Sequence, residues 1–290
     1  MAKRLDGVEV RDAMVARIRS EVDRRGITDV CLTTVLVGED GPSQIYVRNK
    51  HKLAEAAGFT SKNVVLPATI SQDGLVNAIG DLSLDSGVHG ILLQSPIPTG
   101  LDFEAAVALV PVEKDVDGLT VESLGRLVRG LPGHVSCTPL GVLRILQYYA
   151  IPTSGKKAVV VGRSTLVGLP MSILLQRKGI DATVTIAHSR TENLAGVCVE
   201  ADILVAATGM PRMIDSTFVK PGASVIDVGI SRVDEKIVGD VNFESVNDVA
   251  GALTPMPGGT GPMTVGCLIE NTWAGYLWQR EGIEPSLVRS

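Results

Sequence analysis

Aromatic residues are scarce, at 3% of a 290-residue chain, and the charges nearly cancel, leaving a net −5. With no basic stripe and no aromatic platform for stacking bases, the chain is a poor general nucleic-acid binder. No segment approaches the roughly 18 apolar residues that span a bilayer. The opening Met1-Ala2-Lys3-Arg4-Leu5-Asp6 carries basic residues with no apolar signal core behind them, so a cytoplasmic location is expected. The cysteines Cys31, Cys137, Cys198 and Cys267 stand far apart with no C-x-x-C pair, which points to a reducing compartment. The histidines His51, His89, His134 and His188 form neither an H-x-x-x-H pattern nor a cluster with cysteine, so no metal is expected. What the chain does have is aliphatic: 45% of it is hydrophobic, which excludes intrinsic disorder. Its length is that of about two domains.

Helical and strand-like segments alternate, the pattern of an α/β protein with largely parallel sheets. Val10, Met14, Ile18 and Val22 recur every four residues and predict a helix ending near Gly26. The apolar run 30–37 predicts a buried strand entering the turn Gly38-Glu39-Asp40-Gly41-Pro42, with Ser43 placed to cap the next helix. Strands are expected at 63–66 and 90–94, with a helix over 72–83 between them. Pro96, Pro98, Pro111, Pro132 and Pro139 break the segment 95–139 into short pieces before Thr138-Pro139 opens another helix. A second block starts after Pro152-Thr153-Ser154-Gly155, with strands at 157–161, 182–187, 203–207 and 224–228 and a helix over 167–178. The segment 263–278 predicts a long amphipathic helix, striped by Leu268, Ile269, Trp273 and Leu277, that returns to the first domain.

In the second block, the strand Val159-Val160-Val161 runs into Gly162-Arg163-Ser164-Thr165-Leu166-Val167-Gly168 and a helix. A glycine there admits a pyrophosphate close to the backbone, and the helix start offers free N–H groups. The usual G-x-G-x-x-G is broken by Arg163-Ser164, and a plain strand–turn–helix corner has the same outline. Enzymes that use NAD place an acid about 20 residues further on, against the ribose hydroxyls. Here the next strand ends Ile186-Ala187-His188-Ser189-Arg190-Thr191, with no carboxylate. Arg163 as a fixed cation favours the 2′-phosphate of NADP, whereas Arg190 is equally well a solvated surface charge.

The first block holds Ser43-Gln44-Ile45-Tyr46-Val47-Arg48-Asn49-Lys50-His51-Lys52-Leu53-Ala54. At about 100° per residue, Tyr46, Lys50, Leu53 and Ala57 share one face while Arg48, Lys52 and Glu55 lie opposite. A lysine on an apolar face loses some of its preference for the charged form, which suits proton transfer. A lysine that merely snorkels along an apolar wall fits the same spacing. Gln94, in Leu92-Leu93-Gln94-Ser95-Pro96-Ile97-Pro98, ends a buried strand where open α/β sheets place ligands. Lys114-Asp115-Val116-Asp117-Gly118 offers two carboxylates that share a side if extended, though Asp117-Gly118 is equally a turn. The loop Pro257-Gly258-Gly259-Thr260-Gly261 lets a flat ligand approach backbone amides, or simply reverses the chain before Pro262 opens the last helix.

Together these segments resemble one family. Tyr46 to Lys50, Gln94 to Pro98, Lys114 to Gly118, Thr138-Pro139-Leu140-Gly141, Val161 to Ser164 with Val167-Gly168, and Pro257 to Thr264 occur in the order found in the bifunctional methylenetetrahydrofolate dehydrogenase/methenyltetrahydrofolate cyclohydrolases. The resemblance covers essentially the whole chain. It implies an α/β fold of two domains: an N-terminal folate-binding catalytic domain (1–139 plus 265–290) and a Rossmann-like NADP-binding domain (140–264), with the C-terminal helix returning to the first. It implies a homodimer that binds tetrahydrofolate derivatives in the cleft between domains, oxidises the 5,10-methylene form with NADP⁺, and hydrolyses the methenyl product. By the same resemblance Lys50 is the main catalytic residue, Gln94 holds it, Asp117 hydrogen-bonds the pterin and Tyr46 packs on the aminobenzoyl ring. Pro257, Gly258, Gly259, Thr260 and Gly261 border the folate, and Gly162, Arg163, Ser164, Ser189 and Ile230 contact NADP. Ser95 departs from the family, which commonly has leucine there, and this bears on the balance of the two activities. A shikimate-dehydrogenase-like oxidoreductase has no use for the Tyr46/Lys50 pair together with the glycine–proline loop. A regulatory nucleotide binder leaves Lys50 unexplained.

Overall fold

The computed structural model describes residues 1–38, 41–234 and 236–286. Glu39 and Asp40 of the expected turn, and residues 287–290 of the expected first domain, lie outside the described residues. In chain order the elements begin with β1 (Lys3–Arg4), α1 (Gly7–Arg25), β2 (Cys31–Val37), α2 (Gly41–Ala56), β3 (Thr60–Leu66), α3 (Gln72–Leu84) and β4 (Gly90–Leu93). Then come α4 (Phe103–Val107), α5 (Val121–Arg129), α6 (Cys137–Tyr148), β5 (Lys157–Val161), α7 (Gly168–Gln176), β6 (Thr183–Ala187) and α8 (Leu194–Cys198). The remainder is β7 (Ile203–Ala206), β8 (Ser224–Asp227), β9 (Ser231–Val233), β10 (Lys236–Val238), α9 (Phe243–Val246), β11 (Ala252–Leu253) and α10 (Thr260–Glu281). No helix among the described residues is long and apolar enough to cross a membrane.

The chain divides into two compact units, Ala13–Cys137 with Val265–Ser290, and Met1–Asp12 with Thr138–Thr264. In the first, three parallel strands lie in the order β3-β2-β4. The central strand β2 is buried along its whole length, which explains its unbroken apolar sequence. Val35, Val37, Ile91 and Leu93 of the sheet pack against Leu75 and Ile79 of α3. Ser71 caps the start of α3 by accepting the Gly74 N–H. At its other end the buried Lys114 ammonium donates to the carbonyls of Leu82 (3.4 Å), Ser83 (2.9 Å) and Asp85 (2.7 Å), where a helix end leaves carbonyls short of intrahelical donors. Ser43 is not the cap of α2. It lies buried within the first turn, because the helix already begins at Gly41.

Helix α10 corrects the amphipathic expectation. Every residue from Gly266 to Trp273 is buried, including Glu270, Asn271 and Thr272, so this stretch has no solvent face. A stripe of large apolar residues is what such an enclosed helix shares with an amphipathic one. Its return is seen in Tyr276 Oη donating to Asp29 (3.0 Å) and Gln279 Nε2 to the His89 carbonyl (2.9 Å).

The second unit holds six parallel strands in the order β1-β11-β8-β7-β5-β6. Residues 1–12 depart from the expected 1–139 grouping, because Lys3 and Arg4 pair with Ala252 and Leu253 at the edge of this sheet. A strand of two residues has no periodicity to read, and its pairing covers an otherwise open edge. The core is aliphatic, with Val159, Val161, Leu204, Ala206, Val225 and Leu253 from four of the strands. A short antiparallel hairpin, β9–β10, stands apart from the sheet.

Candidate active site

Helix α2 buries Ser43, Val47, Ala54 and, just past its end, Ala57. The inward face is therefore turned from the one expected. Tyr46 is 48% exposed, and Lys50 is partly buried at the border of the stripe rather than at its centre. Val47 takes the inward position because an aliphatic side chain fills that core without a polar end to satisfy. Arg48, Lys52 and Glu55 face solvent as the spacing predicts. His51, next to Lys50, anchors this part of the helix to the sheet. Its Nε2 meets Thr34 Oγ1 on β2 and its Nδ1 meets Ser61 Oγ on β3, both at 2.8 Å. Burial lowers the pKa of this imidazole, which favours its neutral form.

Lys50 Nζ donates to Gln94 Oε1 at 2.9 Å. Gln94 is the first residue beyond β4, where its own N–H still bonds the Val35 carbonyl (2.8 Å). Its amide Nε2 donates to the carbonyl of Ser95, which fixes the oxygen end towards the lysine. Burial pulls the Lys50 pKa below that of an ordinary lysine, while the Asp117 carboxylate, and then Cys137, oppose the shift. Burial likewise pushes the Asp117 carboxyl up, against the attraction of Lys50. The Cys137 thiol is pushed well above its ordinary value, first by burial and then by Asp117. Amine and carboxyl are each drawn towards neutrality by a dry setting and towards charge by the other.

The two carboxylates of the 114–118 segment do different things. The segment is a turn, closed by the Gly118 N–H on the Asp115 carbonyl (2.9 Å), rather than an extended strand. Asp115 is consumed by the backbone, accepting from Leu119 N (3.0 Å) and Thr120 N (2.8 Å). Asp117 is left to act on Lys50. Gly118 has φ +68, and a Cβ on it would overlap the Ser136 nitrogen, so the turn lies flat against the 135–136 backbone. Cys137 and Asn271 belong to this neighbourhood and escaped sequence reasoning, as did His51. For Asn271 a signal existed: it is a polar residue three places after Leu268, inside the stripe that predicted the helix.

In the other unit, Gly162 leaves β5 with φ +139, and a side chain there would collide with the Ala207 carbonyl. The turn opens a cavity of about 240 Å³ lined by Gly162, Arg163, Ser164, His188, Ser189 and Thr208, among others. No Asp or Glu is among the described residues lining it. Arg163, Ser164 and Ser189 are exposed, and Arg163 has no hydrogen-bond or ion-pair partner among the described residues. Ser164 Oγ accepts from Val167 N (3.3 Å) and Gly168 N (3.4 Å), holding the start of α7. Arg190 does not line this cavity; its N–H supports the His188 ring instead (3.2 Å). Ile230, 52% exposed, is also not among its lining residues and stands beside Gly261. In the Pro257–Gly261 loop the Thr260 hydroxyl is taken up by the Asp227 carbonyl (2.8 Å), while Gly259 is buried beneath the Pro255 carbonyl.

Comparison with known proteins finds two family models along the chain. Residues 5–117 match the family model "Tetrahydrofolate dehydrogenase/cyclohydrolase, catalytic domain", and residues 136–280 match "Tetrahydrofolate dehydrogenase/cyclohydrolase, NAD(P)-binding domain". The bifunctional protein FolD of Desulfovibrio desulfuricans is 49% identical over 273 residues, covering 92% of this chain and 96% of its own. The solved structure of the bifunctional enzyme FolD from Campylobacter jejuni is 38% identical with a TM-score of 0.91, covering 95% of this chain and 98% of its own. FolD from Trypanosoma brucei, solved with NADP cofactor and inhibitor, is 36% identical with a TM-score of 0.86, covering 93% and 96%.

Proposed function

This chain belongs to the tetrahydrofolate dehydrogenase/cyclohydrolase family, and from that membership we propose that Lys50, Gln94 and Asp117 form the centre serving both of its reactions. It is a bifunctional folate one-carbon enzyme. The NADP-dependent dehydrogenase oxidises 5,10-methylenetetrahydrofolate to the 5,10-methenyl cation, and the cyclohydrolase hydrolyses that cation to 10-formyltetrahydrofolate.

NADP⁺, when bound, supplies the acceptor for the hydride that leaves the folate methylene carbon. The cavity beyond β5 fits such a nucleotide: Gly162 admits backbone close to a pyrophosphate, while exposed Arg163 and Ser189 suit a 2′-phosphate. We assign Gly162, Arg163, Ser164 and Ser189 to it, with Ile230 beyond the cavity as an apolar contact. Loss of a hydride calls for no acid or base at the carbon, so the protein's task in that step is to hold the reactants and exclude water.

Hydrolysis does need a base. Water adds to the methenyl carbon, forming a C–O bond, and gives its proton to the neutral amine of Lys50. One carbon–nitrogen bond of the five-membered ring then breaks as the new hydroxyl gives up its remaining proton and becomes the carbonyl oxygen, and the departing nitrogen takes up a proton, leaving the formyl group on the other nitrogen. An amine biased towards neutrality accepts that proton and does not repel the cationic substrate; a fully charged one cannot accept the proton and repels the cation. Gln94 Oε1 receives an N–H from Lys50 in both charge states, so it aims the amine without setting its charge. Asp117 accepts N–H bonds from the pterin, and the exposed ring of Tyr46 offers a flat face to the aminobenzoyl group. Pro257, Gly258, Gly259, Thr260 and Gly261 border the folate as a rigid backbone wall. A cytoplasmic homodimer is the assembly and setting that accompany this assignment.

The observation that carries the reading is the 2.9 Å Lys50–Gln94 hydrogen bond beside a carboxyl group, in surroundings that lower the lysine pKa. The test is to mix the protein with methylenetetrahydrofolate and NADP⁺ and follow NADPH and methenyl absorbance separately. NADPH should form while the methenyl signal rises and decays. NADPH formation with a methenyl signal that decays only at the buffer rate contradicts the hydrolytic role.

A further inference from the structure

Resting on the assignment of Asp117 to the folate, we propose that Asn271 of α10 is a positioning residue that sets where Asp117 stands. Asn271 is fully enclosed, 4% exposed, and its Nδ2 donates to the carbonyls of Val116 (2.8 Å) and Val135 (3.0 Å). It also lies 3.8 Å from Cys137 Sγ, and that thiol donates to the same Val116 carbonyl (3.3 Å). The peptide immediately before Asp117 thus receives two donors from remote parts of the chain. Immediately after it, Gly118 is pressed against the 135–136 backbone.

Side-chain packing fixes the same peptide. Val116 is wholly buried, and a Cβ on Gly90 would come within 2.6 Å of its Cγ1. The Asp117 side chain therefore rides on a main chain whose place is dictated from outside its own loop. The chemistry of the bridge is specific. Two buried carbonyls with no backbone partner among the described residues are bridged by one group with two N–H bonds, which a primary amide has and an acid, a hydroxyl or an alkyl group does not. With the bridge removed, the Val135 carbonyl loses its donor and the Val116 carbonyl keeps only the Cys137 thiol, and the 116–118 and 135–137 segments separate. Asp117 then moves relative to Lys50 as well as relative to the folate, so two independent readouts follow from one cause.

The test is a double-mutant cycle on the full chain, with Asn271→Leu and Asn271→Asp made alone and in an Asp117→Asn background. In the wild-type background, the KM for methylenetetrahydrofolate should rise about tenfold while that for NADP⁺ stays within about twofold, and in the Asp117→Asn background the Asn271 changes should add little. The limb of hydrolytic activity governed by Lys50 should shift to lower pH in the single Asn271→Leu variant, which adds no charge. If the Asn271 effect multiplies unchanged on top of Asp117→Asn, or if only the melting temperature falls while both KM values and the pH limb stay put, the proposal is wrong. Should Asp117→Asn alone leave the folate KM untouched, the assignment of Asp117 to folate fails. The positioning claim is then decided by the pH limb alone. If Asn271→Leu does not fold, Asn271→Ser retains one donor and is read through the same cycle, with a smaller effect in the same direction.

Discussion

The surroundings of Lys50 and of Arg163 treat a cation in opposite ways. Lys50 sits at the edge of a buried helix face, hydrogen-bonded to Gln94 and opposed by Asp117, in surroundings that favour its neutral form. Arg163 stands exposed beside a carboxylate-free cavity, without a partner among the described residues. The residue types follow from the two tasks. A proton carrier must change charge, and a lysine responds to burial whereas a guanidinium in a protein stays protonated. A phosphate site needs the reverse: a charge that never leaves and keeps its hydrogen bonds free until the ligand arrives. Chemistry is placed where water is scarce, and recognition where it is plentiful.

The contrast breaks most sharply at the lysine. Lys50→Met should lower the hydrolysis of methenyltetrahydrofolate by about a hundredfold or more, the range general-base removal produces. Retained hydrolysis in stopped-flow decay of the methenyl chromophore ends the argument. Next in size, Arg163→Ala should raise the KM for NADP⁺ by about tenfold or more, the value of a charge-assisted contact to phosphate, and barely change that for NAD⁺. Equal changes for both nucleotides in initial-rate assays remove the 2′-phosphate from the account.

Smaller effects sharpen the comparison. Asp117 draws Lys50 towards the ammonium form, so Asp117→Asn should let the lysine pKa fall further. Hydrolysis rises with pH as the amine loses its proton, and the midpoint of that rise should therefore move to lower pH. A pH–rate profile under saturating substrate shows it, and a midpoint that moves up reverses the electrostatic assignment. Smallest is Ser95→Leu, which restores the residue common in the family next to Gln94. Because the Ser95 carbonyl already receives the Gln94 amide through the backbone, the ratio of the two activities should change by no more than about threefold. A larger change means that the side chain at 95, and not its carbonyl, steers Gln94.

How far the sequence carries the account differs between the same two regions. The strand Lys157–Val161 and the turn at Gly162 are legible almost to the residue, because a continuous aliphatic run ending in glycine has few other uses. Lys50 is legible as a lysine near an apolar face, but the phase is off. Val47 and Ala54 lie inward while Tyr46 points out, a rotation hidden because Ile45, Tyr46 and Val47 are consecutive and give the apolar face no single phase. Gln94 is legible from its place at the end of a buried strand. Cys137 and Lys114 are not, since what they do depends on carbonyls 21 and up to 32 positions away, and Asn271 shows only as a polar break in the α10 stripe, its partners up to 155 positions away. The two-residue strands β1 and β11 and the β9–β10 hairpin are too short for alternation to register. Asp115 and Asp117 look alike on paper and separate only when hydrogen bonds are assigned.

The segment from Lys114 to Gly118 is moored at both ends, by Lys114 on the carbonyls closing α3 and by Gly118 against the 135–136 backbone. Its span is therefore a measured distance. One added residue lengthens it by up to roughly 3.3 Å, more than a hydrogen bond tolerates. An insertion there that leaves every named side chain in place should cost as much as deleting Asp117 outright, and spacing belongs beside residue identity when this stretch is compared between chains.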